Sequence, residues 1–422
     1  MRVSITSTLI LIVLFVDQFY LGVCSGQDGR SIVNGISVTG KNNPQLKSFD
    51  DMMVRLLREH QIPGASLAVS RNGELVYARG FGVADAKQQV PIQPTTRFRI
   101  ASISKPITAA AIVLLVQEGK VSLDDTLGSF LNRTELRNVN PDVRRITIRQ
   151  LLQHRAGWDR SSTYDPMFET VMIGKKLGAR RPANQSQIIQ FMLSRPLDFA
   201  PDTKYAYSNF GYCLLGRIIE RVSGQSYGSF VKQKLMKPLN VESMQLGESI
   251  KLARNETQYF DRRQRTATGI VEGVYGRKVP LQYGGWCLEN MDSHGGWIAS
   301  APDLVKFADA FAASGKLLNK ESLKSIFQPN KADLAKDVYY GLGWQVRKLK
   351  NSGSINSWHT GSLTGTSTIL VRRHDGLNWA VLFNMRDGKD GKRMASIVDP
   401  LVHAAANRIS KWPGSGINRS PK

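Results

Sequence analysis

Strand-like patterns at both ends of this 422-residue chain, with helical patterns between them, are the feature that most constrains its fold. The strand patterns cover residues 65–69, 74–81, 341–347, 354–358, 366–373 and 378–384. Asn72-Gly73 separates the first two patterns and is typical of a two-residue hairpin turn. His374-Asp375-Gly376 is the predicted turn between the last two. Because we find no internal repeat, we predict that the strands of both ends form one antiparallel sheet.

We therefore predict an α+β fold of the α/β-sandwich type. Its antiparallel sheet of five or more strands would be flanked by helices, with a mostly helical lobe inserted at about residues 101–295. Apolar residues at helical spacing predict helices over residues 49–60, 147–154, 186–193, 212–222, 228–236, 301–314 and 395–408. Residues 250–282 show little periodicity and are interpreted as a long excursion near the mouth of a cleft between the two lobes.

The N-terminus has the layout of a secretory signal peptide. After Met1-Arg2 comes a wholly apolar run, residues 9–16, which is too short to span a bilayer, and then a stretch of small residues. We predict a signal peptide over residues 1–25, a flexible leader over 26–44, a main domain over 45–410 and a loose tail over 411–422. The protein is therefore expected to be secreted, without a transmembrane span.

Four Asn-x-Ser/Thr sequons fit export through a eukaryotic secretory pathway and are expected to face solvent. They begin at Asn132, Asn184, Asn255 and Asn418. Removal of the signal peptide would leave two cysteines, Cys213 and Cys287. Cys213 falls in an apolar helical stripe, so a buried free thiol is favoured over a disulfide, which stays open. Neither cysteine has partners at metal-ligand spacing, so no metal site is predicted.

The chain is strongly basic, with a formal net charge of +23 and a pI near 10.0. Such a field attracts polyanions, and nonspecific polyanion binding is one expected consequence. Because the sequence contains no zinc finger, RNP-like segment or basic zipper, specific nucleic-acid recognition is not expected.

The first candidate for chemistry is the pair Ser102 and Lys105. The pair stands just before residues 107–117, which predict a buried helix that stops at Gly119. On a helix, this spacing places the hydroxyl and the amine on one face. The helix dipole would favour Ser102 as a nucleophile, and a desolvated Lys105 could act as its base. Taken alone, the pattern also fits an ordinary solvated helix start.

The second candidate is Tyr207-Ser208-Asn209. A phenol near a cationic lysine is predicted to have a lowered pKa and to shuttle protons to a leaving group. The amide of Asn209 could hold a substrate carbonyl or Lys105. The alternative is an aromatic packing cluster, capped by Asn209, before the predicted helix 212–222.

The third candidate is His359-Thr360-Gly361-Ser362, before a predicted strand. Gly361 permits the close approach of a ligand to the backbone. The backbone N–H of Ser362 could join that of Ser102 in an oxyanion hole. The alternative is a polar turn with a structural histidine.

In this order, the three elements resemble the serine β-lactamase and penicillin-binding-protein superfamily, whose pattern is Ser-x-x-Lys, Ser/Tyr-x-Asn and Lys/His-Thr/Ser-Gly. The similarity is greatest to the class C-like branch, which includes family VIII-type esterases, D-aminopeptidases and LACTB-like proteins of animals. Residues 151–157, 295–303 and 340–344 also look like that branch. The resemblance covers roughly residues 45–408.

The resemblance implies that residues 45–410 form a β-lactamase-related serine hydrolase domain. Ser102 would be the acylated nucleophile, Lys105 its base and Tyr207 the residue that assists proton transfer. The implied substrate or oxyanion contacts are Asn209, His359, Thr360, Gly361 and Ser362. His359 would stand where many relatives have lysine, and histidine is fully charged only near or below its pKa. Substrates without an obligatory carboxylate would therefore fit at least as well as β-lactams.

The resulting hypothesis is a secreted serine hydrolase that forms an acyl-enzyme on Ser102. It would cleave an ester, an amide or a D-amino-acid peptide bond in a small-molecule or peptide substrate, and no cofactor is expected. The alternative is a catalytically silent, penicillin-binding-like scaffold that binds polyanions or self-assembles.

Overall fold

The computed structural model describes residues 29–132, 139–179, 181–312, 317–350 and 352–413. Within these ranges, one ten-stranded antiparallel sheet forms the centre of the fold. Its strands are β1 (Ser31–Val33), β2 (Ile36–Thr39), β3 (Gly64–Arg71), β4 (Glu74–Asp85), β5 (Val90–Pro91), β11 (Val338–Tyr340), β12 (Gln345–Lys348), β13 (Ile355–Leu363), β14 (Thr366–Arg372) and β15 (Leu377–Phe383). A smaller sheet contains β6 (Phe98–Arg99), β7 (Gln245–Leu246) and β10 (Trp297–Ala299), and β8 (Thr266–Thr268) pairs with β9 (Lys278–Pro280).

The order of the main sheet is β1-β2-β4-β3-β15-β14-β13-β12-β11, and β5 pairs with β4. Strand β3 from the N-terminal half pairs directly with β15 from the C-terminal end, for example at Val69 and Trp379. The prediction of one antiparallel sheet built from both chain ends is therefore confirmed. Asn72 and Gly73 have positive φ angles of 53° and 86°, as expected for the predicted hairpin turn.

The predicted flexible leader is wrong for its described part. Strands β1 and β2 form a hairpin at the sheet edge, and Val38 of β2 pairs with Phe81 of β4. Asn34 and Gly35 connect the two strands with φ angles of 48° and 79°. This Asn-Gly turn has the same physical basis as the turn at Asn72, because both residue types tolerate left-handed backbone conformations. The hairpin was missed because its strands are only three and four residues long.

Eleven α-helices surround the sheet in the part of the chain that the structure describes. They are α1 (Lys47–His60), α2 (Ser104–Gln117), α3 (Pro141–Arg144), α4 (Ile148–Leu152), α5 (Thr170–Lys176), α6 (Gln185–Leu193), α7 (Asn209–Ser223), α8 (Tyr227–Val231), α9 (Ala301–Asp309), α10 (Lys320–Ile326) and α11 (Met394–Asn407). Helices α1 and α11 cover one face of the sheet and share an apolar core with it. Helix α9 and the helical lobe cover the other face.

Several element boundaries differ from the predicted ones. The predicted strand 341–347 begins only at Gln345, because residues 341–344 form a turn between β11 and β12. Gly343 in this turn has a φ of 81°, and a Cβ atom at Gly341 would lie 2.3 Å from the carbonyl oxygen of Ile326. The predicted helix 301–314 ends at Asp309. In the tail, Trp412 packs on Phe49, so the part that the structure describes is not loose.

The excursion of residues 250–282 contains no α-helix and is anchored to the core by Arg99. The Arg99 guanidinium donates hydrogen bonds to the carbonyl oxygen atoms of Gln282, Glu248 and Ser249. It also stacks 4.5 Å from the ring centroid of Tyr259. Just beyond the excursion, Trp286, Leu288 and Met291 pack in an apolar cluster with Ala101. These contacts tie the two ends of the excursion to Arg99 and Ala101, which precede Ser102 in the chain, and the location of the excursion at the mouth of the cleft stays a prediction.

Candidate active site

Ser102 lies in a short 3-10 turn, Ala101–Ile103, between β6 and α2. Helix α2 is buried almost all round, as predicted, and Pro106 occupies its first turn, where the missing N–H costs little. Ala101 has a left-handed φ of 49°, which sets the direction of the chain just before Ser102. Lys105 follows in the first turn of α2, and its amine reaches the Ser102 hydroxyl, so the two side chains point the same way.

The amine of Lys105 is fully buried and contacts three oxygen atoms. Nζ lies 2.7 Å from Oδ1 of Asn209, 2.8 Å from the carbonyl oxygen of His294 and 3.2 Å from Oγ of Ser102. A neutral amine can donate to the amide and carbonyl oxygen atoms and keep its lone pair for the proton of Ser102. The ammonium form would use its third N–H toward Ser102. The arrangement therefore accommodates both protonation states.

Burial lowers the pKa of Lys105 well below its ordinary value of 10.5. The negative charge of Asp165 opposes this shift, and the positive charge of Arg160 reinforces it. Desolvation acts against the ammonium because a charged group loses more hydration energy on burial than a neutral one. The environment thus favours a free amine beside the Ser102 hydroxyl.

Asn209 connects Lys105 to an acidic residue that the sequence analysis missed. Ser208 caps helix α7, and Asn209 is the first residue of the helix. Nδ2 of Asn209 donates to Oδ2 of Asp165 at 2.6 Å. Because an ionised carboxylate only accepts hydrogen bonds, this contact turns the amide oxygen toward Lys105. Of the two contacts considered for Asn209, the one with Lys105 is observed, and the amide is buried.

Tyr207 lies between two basic side chains, Lys105 and Arg160. Its ring centroid is 4.8 Å from Nζ of Lys105 and 4.6 Å from the guanidinium carbon of Arg160. Burial raises the pKa of Tyr207 above its ordinary value of 10.0, while hydrogen bonding with the Ser102 hydroxyl and the charge of Arg160 lower it by less. The predicted lowering of this pKa is therefore wrong, because desolvation outweighs the nearby charges. Tyr207 keeps its proton and can donate it.

His154 organises the aromatic residues behind Tyr207. The His154 ring lies 4.3 Å from the ring centroid of Tyr207 and 4.6 Å from that of Tyr340. Its Nδ1 accepts a hydrogen bond from the backbone N–H of Ser208 at 3.1 Å, which requires the neutral tautomer protonated on Nε2. Burial lowers the pKa of His154 well below 6.5, and the charge of Lys105 acts in the same direction. This ring is therefore a neutral support for the second motif.

His359 is also buried and neutral. Its Nδ1 donates to the carbonyl oxygen of Thr360 at 2.8 Å, which leaves Nε2 to accept from the Tyr340 hydroxyl at 2.9 Å. Burial lowers the pKa of His359 to about 3, and the charge of Lys105 contributes. Both ring nitrogen atoms are thus used within the protein. His359 does not supply the positive charge that a lysine would supply at this position.

Gly361 allows β13 to approach the turn that carries Ser102. A Cβ atom at Gly361 would lie 2.1 Å from the carbonyl oxygen of Ile100 and 2.2 Å from Oγ1 of Thr368. Thr368 itself donates to that carbonyl oxygen at 3.0 Å. The close approach expected at Gly361 therefore exists, but it is to the protein's own backbone.

The side chains of Thr360 and Ser362 lie on the opposite face of the sheet from His359 and Gly361, since alternate residues of a strand face opposite ways. Thr360 lines a cavity of about 260 Å³ beside α11. Any contact of Thr360 or Ser362 with a substrate at Ser102 is thus expected from the backbone, not from the hydroxyl groups.

The backbone of Ser362 is at a free edge of β13. Strand β12 pairs with β13 only from Ile355 to Trp358, so no other described strand pairs with residues 359–363 on that side. A two-residue turn joins Leu363 of β13 to Thr366 of β14, so Leu363 and Thr366 form the hydrogen-bonded pair that closes this hairpin. By alternation, the N–H of Ser362 points away from β14, toward the free edge.

His154 and Tyr340 lie in the segments 151–157 and 340–344, which resemble the class C-like branch. The sequence therefore contained a signal for these two residues. Asp165 and Arg160 lie in an irregular loop and carry no local signal. Cys213 and Cys287, the cysteines on described residues, are free, and no cluster of metal-ligating residues occurs in that part of the chain. No helix within the described ranges is long and apolar enough to cross a membrane.

The asparagines of three of the four sequons are described and exposed, as predicted: Asn132, Asn184 and Asn255. Asn184 caps helix α6, with its side-chain oxygen accepting from the N–H of Gln187. Asn255 uses Nδ2 to donate to the carbonyl oxygen of Thr95 at 2.9 Å. Asn418 and the predicted signal peptide lie outside the described residues.

The candidate site residues lie within a part of the chain that matches a known protein family. The sequence profile of the Beta-lactamase family matches residues 49–401. The chain belongs to the Beta-lactamase family. Penicillin-binding protein 4* of Bacillus subtilis (strain 168) is 28% identical over 344 residues, which cover 78% of this chain and 69% of that protein. The resemblance found from the three motifs is therefore confirmed.

Solved structures support the same assignment. An octameric penicillin-binding protein homologue from Pyrococcus abyssi superimposes with a TM-score of 0.64 at 26% identity, over 88% of this chain and 78% of that chain. A D-stereospecific amidohydrolase from Streptomyces sp. superimposes with a TM-score of 0.62 at 25% identity, over 81% of this chain and 95% of that chain. These relatives confirm the α+β fold and support a β-lactamase-like hydrolase.

Proposed function

We propose that this Beta-lactamase family member is a secreted serine hydrolase that forms an acyl-enzyme on Ser102 and cleaves an ester, an amide or a D-amino-acid peptide bond. The observation that carries the proposal is the buried amine of Lys105, 3.2 Å from Oγ of Ser102, with its other N–H directions occupied by Asn209 and His294. A base held in this way can remove the proton from the hydroxyl as the hydroxyl attacks.

In the acylation step, Oγ of Ser102 bonds to the substrate carbonyl carbon and its proton passes to Nζ of Lys105. The backbone N–H groups of Ser102 and Ser362 would stabilise the oxyanion, each contributing ~3 kcal/mol if it resembles known oxyanion donors. The bond to the leaving group then breaks, and Tyr207 gives its proton to the leaving atom. Proton return from Lys105 to Tyr207 through a water molecule would restore both groups.

Deacylation reverses these roles. A water molecule attacks the ester carbonyl and loses its proton to the Lys105–Tyr207 pair, and the Ser102 oxygen leaves with a proton. His359 has no direct part, because its ring nitrogen atoms are bound to Tyr340 and to the Thr360 carbonyl. It would instead fix the position of β13. The neutral state of His359 favours substrates that do not need a cation at this position.

Covalent labelling tests the proposal. Purified mature protein is treated with a fluorophosphonate or a fluorescent penicillin, and the adduct is located by mass spectrometry. We expect one adduct, on Ser102, and none in Ser102→Ala. A panel of esters, peptides and β-lactams, with acylation and turnover measured separately, then gives the substrate class. A folded wild-type protein that no acylating reagent modifies at Ser102 would instead favour the silent scaffold.

Export is part of the proposal and has its own test. It rests on the apolar run at residues 9–16 and on exposed sequons at Asn132, Asn184 and Asn255. Expression in a eukaryotic secretory host should give protein in the medium that begins near residue 26 and shifts in mass with a glycosidase. Protein retained inside the cell with residues 1–25 intact would contradict it.

A further inference from the structure

Arg160 is a partly exposed arginine at the edge of the candidate active site. Its guanidinium stacks on the Tyr207 ring at 4.6 Å, and its Nη1 lies 3.5 Å from Oδ2 of Asp165. The side chain is 44% exposed. Among the described residues, none accepts a close hydrogen bond from this guanidinium. Arg160 therefore presents several N–H donors beside the residue that would protonate the leaving group.

The other basic groups near Ser102 are not available in this way. Lys105 is buried, and its amine is engaged by Asn209 and His294. His359 is neutral and bound on both ring nitrogen atoms. The ammonium of Lys204 donates to Asp159 at 2.9 Å. Among the described residues, the accessible positive charge next to Tyr207 is thus that of Arg160.

We propose that Arg160 is a specificity-determining residue that binds a carboxylate on the leaving group of the substrate. This inference rests on the proposed function, because it assumes acyl transfer to Ser102. A guanidinium matches a carboxylate with two parallel N–H donors, which gives direction as well as attraction. Stacking on Tyr207 holds those donors on the side of the cleft from which the leaving atom receives its proton.

The contact with Asp165 fits this role. At 3.5 Å it is too long for a strong hydrogen bond, yet it restrains the guanidinium from one side. Asp165 also holds Asn209 at 2.6 Å, so the same carboxylate positions the group that holds Lys105 and the group that would bind the substrate. A purely structural Arg160, which only covers Tyr207 and pairs with Asp165, would affect all substrates equally.

Two esters with the same acyl group separate these possibilities. The phenylacetyl ester of 3-hydroxybenzoate carries a carboxylate on its leaving group, and that of 3-hydroxybenzamide is neutral and similar in shape. The variants are Arg160→Gln, Arg160→Lys and, as a control for charge, Arg149→Gln. Arg149 is a surface arginine on helix α4 that pairs with Asp124 at 3.1 Å.

We expect wild-type protein to prefer the carboxylate ester in kcat/KM by roughly tenfold or more, as for a charge-assisted contact. Arg160→Gln should lower kcat/KM for that ester by roughly 10- to 100-fold, mainly through KM. It should lower kcat/KM for the neutral ester by a clearly smaller factor, which reflects the effect of the Arg160 charge on the pKa values of Lys105 and Tyr207. Arg160→Lys should retain part of the preference, and Arg149→Gln all of it.

Equal losses on both esters in Arg160→Gln would overturn the inference and leave a structural role. So would the absence of any preference in the wild-type protein. In either case, labelling of Ser102 by a fluorophosphonate would show that the proposed function still stands. A wild-type protein that no reagent acylates at Ser102 would overturn the proposed function, and the inference with it.

Discussion

At the scale of single residues, burial decides which groups near Ser102 carry protons. Lys105, His154 and His359 all have pKa values lowered by desolvation, whereas the pKa of Tyr207 is raised by it. Each shift favours the neutral form of the group. Burial thus shifts the site toward a free amine, two neutral imidazoles and a protonated phenol. These shifts fit the proposed roles of Lys105 as the base and of Tyr207 as a proton donor.

The rate at which Ser102 is acylated is expected to depend on pH. A base works in its deprotonated form, so acylation of Ser102 should increase with pH through the pKa of Lys105. Because burial lowers that pKa below 10.5, the rise should come at lower pH than for an ordinary lysine. Lys105→Ala should reduce the acylation rate by roughly 10²- to 10⁴-fold. The measurement is the pH profile of kcat/KM with a neutral ester.

Circular dichroism of Lys105→Ala serves as the folding control for this experiment. Near-wild-type acylation by a folded Lys105→Ala variant would contradict the assignment of the base. A rise of activity only near pH 10.5, where an exposed lysine titrates, would contradict the lowered pKa.

His154 is predicted to act as a positioning residue. Its Nδ1 accepts from the N–H of Ser208, and its ring packs on Tyr207. His154→Leu keeps much of the volume but leaves that N–H without an acceptor, which costs about 1–3 kcal/mol when buried. His154→Asn places an amide oxygen near the position of Nδ1. We expect a tenfold or greater fall in kcat for His154→Leu, by analogy with small displacements of catalytic groups, and partial recovery for His154→Asn.

The readout for His154 is the division of the effect between kcat and KM, measured with the neutral ester. A fall in thermal stability with unchanged kcat in both variants would show that His154 supports the fold only. Because burial lowers the pKa of His154 well below 6.5, neither variant should add or remove a transition in the pH profile near neutral pH.

The site residues that the sequence identified either lie close together in the chain or belong to a recognisable motif. Ser102 and Lys105 needed only a helical turn, and Asn209 and Gly361 were marked by spacing. Asp165 and Arg160 were not predictable in this way, because a loop distant in sequence delivers them. The pKa of Tyr207 was predicted in the wrong direction, because the sequence indicates the charged neighbours of the phenol but not how deeply the phenol is buried.

At the scale of elements, the approach of β13 to the turn Ala101–Ile103 determines the geometry of the site. Gly361→Ala would insert a Cβ atom 2.1 Å from the carbonyl oxygen of Ile100, so one of the two backbones must move. We expect a loss of about 1–3 kcal/mol in the free energy of unfolding, as for overpacking. Acylation should fall further than this stability loss explains, because Ser362 moves away from Ser102. Urea unfolding and labelling rates measure the two effects.

Gly211→Ala is the matched control for Gly361→Ala. Gly211 lies in helix α7, and a Cβ atom there would meet Leu151 at 3.7 Å, an ordinary van der Waals distance. Alanine is preferred over glycine in helices by about 1 kcal/mol, so stability should stay equal or rise. Wild-type acylation by Gly361→Ala would show that the close approach of β13 is not needed.

Elements were predicted well where the pattern was long and poorly where it was short. The hairpin at Asn72 joins strands of eight and twelve residues and was found, whereas the one at Asn34 joins strands of three and four residues and was not. Both turns use the same Asn-Gly chemistry. What stabilises the shorter hairpin is pairing of Val38 with Phe81, a tertiary contact. Local pattern alone carries no information about such a contact.

At the scale of the whole molecule, the formal net charge is +23. Several basic residues near Ser102 are neutral or paired, so the charge excess does not by itself explain catalysis. A field of this size should attract polyanions such as acidic glycans, independently of Ser102. We therefore expect binding to heparin that weakens steeply with salt, since the Debye length falls from ~30 Å at 0.01 M to ~8 Å at 0.15 M.

The measurement is the heparin affinity of wild-type protein and of Ser102→Ala over this salt range. Both proteins should lose at least about tenfold in affinity, with equal slopes, because the attraction sums over many exposed charges. Arg160→Gln removes one charge of the excess, so its curve should shift only slightly. Salt-insensitive binding would point instead to a specific, desolvated contact. A large shift in Ser102→Ala or Arg160→Gln would place that contact at the active site and make the glycan a candidate ligand of the cleft.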